Sequence, residues 1–166
     1  MSDVIESLAE KLSAYQVFNY LLPGAVFAAT FGLVSRYNIL VGNVVVDVIV
    51  IYFVGMALSR IGSLVIEPIF KSLRIVTYAN YDDYLEAAKS DPTIPTLLQE
   101  NNTYRTMTAT FLSLLFVKIA LSVQQHWAGT NLHLDWVWPI ALLLLFALSY
   151  RKQTAYIRKR VSHMKS

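Results

Sequence analysis

Cysteine is absent from the 166 residues, which excludes a disulfide framework, a thiolate nucleophile and thiolate-bound metal. Charge is scarce as well. Asp, Glu, Lys and Arg make up 15% of the chain and hydrophobic residues 55%, against about 25% and about 45–50% in ordinary soluble domains. So thin a charged fraction does not coat a soluble globule of this size, and it excludes a disordered chain equally. No phosphate-binding loop, no G-x-S-x-G elbow and no H-E-x-x-H pair occurs, and no internal repeat is evident. What the chain has instead is four apolar stretches that each approach bilayer length, with a mean hydropathy of +0.47. The expectation is one compact, multi-pass membrane protein.

Residues 2–16 carry acidic side chains ahead of any cationic patch and no small-residue cleavage site, so they do not read as a signal peptide. Val4, Leu8, Leu12 and Tyr15 recur at helical spacing, which predicts an amphipathic helix lying on the protein's own cytosolic part or on the membrane. The first span covers about residues 17–35. Pro23 within it predicts a kink near Asn19 and Tyr20, four residues back along the helix. Gly24 with Ala28, and Gly55 with Ser59, are small pairs at four-residue spacing, and they are candidate seams between copies of the chain.

The second span covers about residues 39–60, but its apolar pattern continues through Ile61, Leu64, Ile66, Ile69 and Phe70. A helix from Ile39 to Phe70 would be about 48 Å long, against a hydrocarbon core of about 30 Å. It is therefore expected to project into the cytosol, with a bend near Gly62 or Pro68. Residues 61–106 form an insertion too short for a core of its own. Within it Asn80 caps one short helix, and Asp91-Pro92 opens another that Asn101-Asn102 breaks. The insertion is expected to dock on the extended second helix or on neighbouring subunits. The third and fourth spans cover about residues 107–125 and 136–150, with Trp127, Trp136 and Trp138 as an interfacial belt, and a basic tail covers 151–166. The predicted fold is all-α: a four-helix transmembrane bundle with an N-terminal amphipathic helix and a small helical cytosolic insertion.

Orientation follows from loop charge. The outer segments offer Arg36 and no lysine or arginine over residues 124–135, whereas Lys11, Arg60, Lys71, Arg74, Lys89, Arg105 and the tail are basic. Both termini and the insertion are therefore expected in the cytoplasm.

Several constellations could carry function. Asp47 and Lys118 fall inside spans two and three at matched depth, which suggests an intramembrane charge pair, either a packing clamp or a pore-lining element. Lys118 snorkelling alone is the bland alternative. Arg151, Lys152, Arg158, Lys159 and Arg160 form a basic tail suited to an anionic leaflet, or to a partner. Arg158 and His163 spell R-x4-H, in which a histidine base and an arginine could serve phosphodiester chemistry. Asp82, Asp83 and Glu86, with Tyr81, Tyr84 and Arg105 nearby, read either as a solvated face or as a docking surface for a cytosolic protein. His126 and His133 near Asp135 make a poor metal set, so no metal or cofactor is expected.

Two stretches, FNYLLPGAVF at residues 18–27 and YDDYLEAAKSDPTIPTLLQENNTYRTM at residues 81–107, sit in a layout that resembles small four-span membrane proteins of bacterial anti-phage defence. These are the membrane subunit of the Kiwa system and the membrane accessory proteins of type VI CRISPR systems. The first resemblance implies a homo-oligomeric inner-membrane sensor with a soluble effector docked on its cytosolic face. The second implies an oligomeric pore that depolarises the inner membrane, with Arg158 and His163 matching a divergent R-x4-6-H of ribonuclease type. The expected partners are the lipid bilayer, further copies of the chain and a cytosolic effector, with nucleic acid engaged only indirectly. The protein itself is expected to be no enzyme.

Overall fold

A computed structural model describes residues 16–35, 37–127 and 137–164. The expected amphipathic helix before residue 16, Arg36, His133, Asp135 and Trp136 lie outside the described residues, as do the side chains of His126 and Trp127. The regular structure among the described residues is entirely helical. Two stretches, Val44–Ser72 and Thr93–Val123, are long and apolar enough to cross a membrane, with hydropathies of 2.1 and 1.8. In the most apolar part of Val44–Ser72, 17% is buried within the chain, against 44% for Thr93–Val123. Most of the apolar surface of Val44–Ser72 is therefore left uncovered by the rest of the chain.

Helix α1 (Leu22–Ser35) is preceded by a π turn over Val17–Leu21, in which the Leu22 amide donates to the Val17 carbonyl. This is the region where Pro23 was expected to disturb the helix. A proline ring collides with the carbonyl four residues back, and widening the turn moves that carbonyl aside. Helix α2 (Val44–Ile61) runs through a second π turn, Gly62–Ile66, into α3 (Glu67–Ser72), where Pro68 stands in the same relation to the widened turn. The helix therefore continues past residue 60 to Ser72, and its regular winding is interrupted at Gly62–Ile66, just before Pro68. The start is different: α2 begins at Val44 rather than residue 39, because Asn43 caps it by accepting from the Val45 and Val46 amides.

The chain leaves α3 through Arg74, which adopts a left-handed φ of 55° while the Ile75 and Val76 amides return to the Phe70 carbonyl. Helix α4 (Tyr81–Ser90) starts on Asn80, whose side chain accepts from the Asp82 amide at 3.0 Å. Helix α5 (Thr93–Trp127) follows a cap in which Asp91 accepts from the Thr93 amide at 3.0 Å. Asn101-Asn102 does not break it, contrary to the reading from sequence. Thr103, Thr106, Thr108 and Thr110 return their hydroxyls to the carbonyls of Gln99, Asn102, Tyr104 and Thr106, so the polar stretch satisfies itself in helical form. Helix α6 (Val137–Met164) carries the fourth apolar stretch and the basic tail as one rod.

Helix α5 is central, with α1 and α2 on one side and α6 along its length. Met107, Phe111 and Leu114 form the apolar core with Phe27, Phe31, Leu143 and Phe146, and Phe111 stacks on Phe146 at 5.5 Å. Helix α4 packs on α6 and α5 through Ala87, Ile94, Ile157 and Val161, while the link before it and the start of α5 meet the extension of α2 through Tyr78 and Arg105. Tyr150, Thr154, Ile157 and Val161, three or four residues apart, are the buried stripe of α6 that receives it.

The close crossing of α1 and α2 uses the glycines that the sequence offered as seams between copies. A methyl group on Gly24 would run into the Ile51 carbonyl oxygen, and one on Gly55 into that of Tyr20. Each glycine thus presents its Cα hydrogen to a carbonyl of the opposite helix. Ala28 and Ser59 are buried as well. All four residues are spent on packing within one chain, so the expectation that they join copies is corrected.

Candidate functional site

The polar side chains inside the described helices converge on a seam at one end of the apolar bundle. It begins in the first π turn. Asn19 is buried there; it accepts from the Thr106 hydroxyl at 2.9 Å and donates to the Ser59 hydroxyl at 3.2 Å, joining α1, α2 and α5. One buried side chain thereby satisfies two others.

Beyond the second π turn the seam becomes ionic. Glu67 accepts from Arg105 of α5 with one oxygen and from Lys71 at 2.7 Å with the other. The Arg105 and Glu67 side chains are 14% and 19% exposed, and the Arg105 Nε is buried with no partner of its own among the described residues. Gly62 lets Arg105 lie against α2, since a Cβ there would stand 3.4 Å from the Arg105 Cγ. The Lys71 ammonium sits 4.5 Å from the ring centroid of Tyr78, a cation–π contact. The Tyr78 and Tyr150 hydroxyls are hydrogen-bonded, and Phe70 packs on the Tyr150 ring at 5.9 Å. Burial pushes the Tyr78 phenol above its ordinary range, so the phenol stays protonated and able to donate. An unbroken chain of polar contacts therefore runs from Arg105 through Glu67, Lys71 and Tyr78 to α6.

The far side of the seam ties α5 to α6 and to the α4–α5 turn. The Thr154 hydroxyl lies 3.1 Å from the Asn101 amide and 2.8 Å from the Tyr150 carbonyl. Gln153 donates to Glu100 at 3.0 Å. Arg160 donates to Asp91, whose other oxygen receives the Thr93 hydroxyl at 2.6 Å. The Arg160 contact and the Thr93 donors hold the Asp91 carboxyl down at about 2.

The residues singled out from sequence are distributed differently. Asp47 lies in the first turn of α2, at the start of the apolar stretch Val44–Ser72. Its two oxygens accept from the Val41 and Gly42 amides at 2.8 and 3.2 Å. That is a cap on the loop before α2, so the proposed intramembrane pair is corrected. Lys118 is half-buried on α5. Arg105 leaves the docking set because Glu67 holds it inside the chain. Asp82, Glu86, Tyr81, Arg151, Lys152, Arg158 and Lys159 are exposed, while Asp83 and Tyr84 are half-buried. Arg160 is drawn out of the basic face by Asp91. Arg158 and His163 lie five residues apart on one continuous helix, so they point about 140° apart and do not converge within the chain.

Sequence reasoning missed Asn19, Ser59 as a polar partner, Glu67, Asn101, Tyr150 and Thr154. A signal was present: alternate threonines at 106, 108 and 110 interrupt an apolar run, and Asn19 stands four residues before a proline. No family model, no curated protein and no solved structure matches the chain.

Proposed function

We propose that the chain is a non-enzymatic, oligomeric inner-membrane component of a bacterial anti-phage defence system. In this reading four helices span the bilayer: α1, α2, α5 and the first half of α6. The ends of α3, α5 and α6, with α4, then form a cytosolic cap that passes a membrane event to a docked soluble effector. The observation that carries the reading is continuity. Val44–Ser72, α5 and α6 each run from the apolar zone into the cap without interruption, and the cap fastens them through Glu67–Arg105, Tyr78–Tyr150 and Asp91–Arg160. A change in tilt within the lipid alters the separations of these groups, because packed helices move as rods with discrete arrangements. The exposed apolar residues Ile49, Phe53, Phe116, Ile119, Leu144 and Leu148 suit contact with lipid or with further copies.

The test uses the exposed acidic edge of α4. Cells carrying the full system are challenged with phage, comparing wild type with the Asp82→Lys/Glu86→Lys variant. Protection is expected to fall while membrane insertion and thermal unfolding stay unchanged. Full protection by the variant would overturn the docking reading. Depolarisation of the membrane by the protein alone would favour a pore instead.

A further inference from the structure

Between the α3–α4 link, α4, α5 and α6 lies a groove of about 300 Å³. Its walls are Tyr78, Tyr81 and Tyr84 on one side and Leu98 and Ile157 on the other, with Lys71 and Arg158 at its edge. No carboxylate lines it, whereas the neighbouring groove of about 190 Å³ is lined by Asp83 and Glu86. We infer that the tyrosine-lined groove binds a planar heteroaromatic anion, the chemical class of nucleotides.

Asn101 points to this class most directly. It lines the groove and is 1% exposed, and one end of its amide is engaged by Thr154. The other end meets no hydrogen-bonding group of the described residues. That end is open to the groove rather than sealed off, so a ligand with a polar edge can hydrogen-bond it and an acyl chain cannot. Amides of this kind hydrogen-bond the edges of heteroaromatic rings. The tyrosines supply faces for such a ring to stack on. Tyr81, 70% exposed, has no packing role that would otherwise explain an aromatic ring at that position.

Charge selects the rest of the ligand. Arg158 forms no ion pair with a described carboxylate, and Lys71 is the second cation at the same mouth. Lys71 is already held by Glu67, so it is Arg158, beside a slot with no carboxylate in its lining, that favours a phosphate or another anionic substituent on the ring. The volume matches one small ligand at the lower end of ordinary binding pockets. The inference rests on the groove alone and is independent of the defence reading.

The experiment takes the full chain in phosphatidylcholine nanodiscs and titrates AMP, GMP, CMP and UMP calorimetrically, each beside its nucleoside. At least one nucleotide is expected to bind saturably. Arg158→Gln should weaken the nucleotide about tenfold, the size of one charge-assisted contact, and leave the nucleoside unchanged. Tyr81→Ala should weaken both about tenfold, the size of one stacking contact. Both side chains are exposed, so neither variant endangers the fold. The inference is overturned if none of the four nucleotides binds, or if Arg158→Gln binds as wild type does. It is overturned equally if phosphatidylglycerol, and no nucleotide, stabilises the protein in a manner dependent on Arg158.

Discussion

Removing Glu67 should cost more than removing its partner Arg105, although they share one ion pair. Breaking a buried pair by deleting one member costs about 3–5 kcal/mol, because the other charge stays behind uncompensated. Here both side chains keep some exposure, 19% and 14%, and solvent screening reduces the cost for Glu67→Ala to about 2–3 kcal/mol. Arginine cannot escape by losing its proton, and its Nε is already without a partner. The variant therefore leaves the guanidinium with nothing from Glu67. Arg105→Ala is gentler. Glu67 keeps Lys71 at 2.7 Å, so about 1 kcal/mol is expected. The double variant should cost less than the sum, since the stranded charge is gone. Unfolding of the purified protein in mixed micelles, followed by circular dichroism, gives all three values. Equal costs for the two single variants, or strict additivity in the double, would refute the reasoning.

The α1–α2 crossing should reject a methyl group: Gly24→Ala and Gly55→Ala each destabilise by about 1–3 kcal/mol or more, since a rigid carbonyl occupies the space. Gly32→Ala, whose Cβ would meet the Tyr37 carbonyl at an ordinary 3.7 Å, serves as the neutral comparison in the same unfolding assay. Arg74→Gly should stabilise by about 1 kcal/mol by relieving the left-handed φ of 55°. The Asp91 carboxyl is lowered from 3.8 to about 2, so its contribution is complete above pH 4 and disappears as the pH falls toward 2. Amide exchange in α4 across that range should show the cap loosening, and Arg160→Gln should flatten the dependence.

What could be read from the sequence was whatever is decided locally. Pro23 and Pro68 disturb their helices near the positions predicted for them, and Asn80 and Asp91 cap because their short side chains reach the next amides whatever lies beyond. Within α5 the Asn101 amide is also engaged by Thr154 of α6, fifty-three residues away, besides the threonines that return to their own helix. Nothing near Asn101-Asn102 announces that partner, so local propensity favoured a break. The tail likewise looked like a run of charge, although Tyr150, Thr154, Ile157 and Val161 carry a helical period beneath it. Asp47 was misplaced because the apolar run began five residues before the helix does, and depth was counted from the run.

The second π turn explains why the seam is continuous at all. Ser59 and Glu67 are eight residues apart, so on a regular α-helix their directions would differ by about 80°. Only one of them could then face α5. A π turn absorbs one extra residue, which sets the rest of the helix back by about 100° and reduces that difference to about 20°. Ser59 can therefore join Asn19 and Thr106 while Glu67 reaches Arg105, the residue beside Thr106 on the same helix. Pro68 favours the wider turn by excluding the regular bond to the carbonyl four residues back, and Gly62 gives Arg105 room to lie along it. The interruption just before Pro68 is thus the device that turns the polar residues of this helix inward.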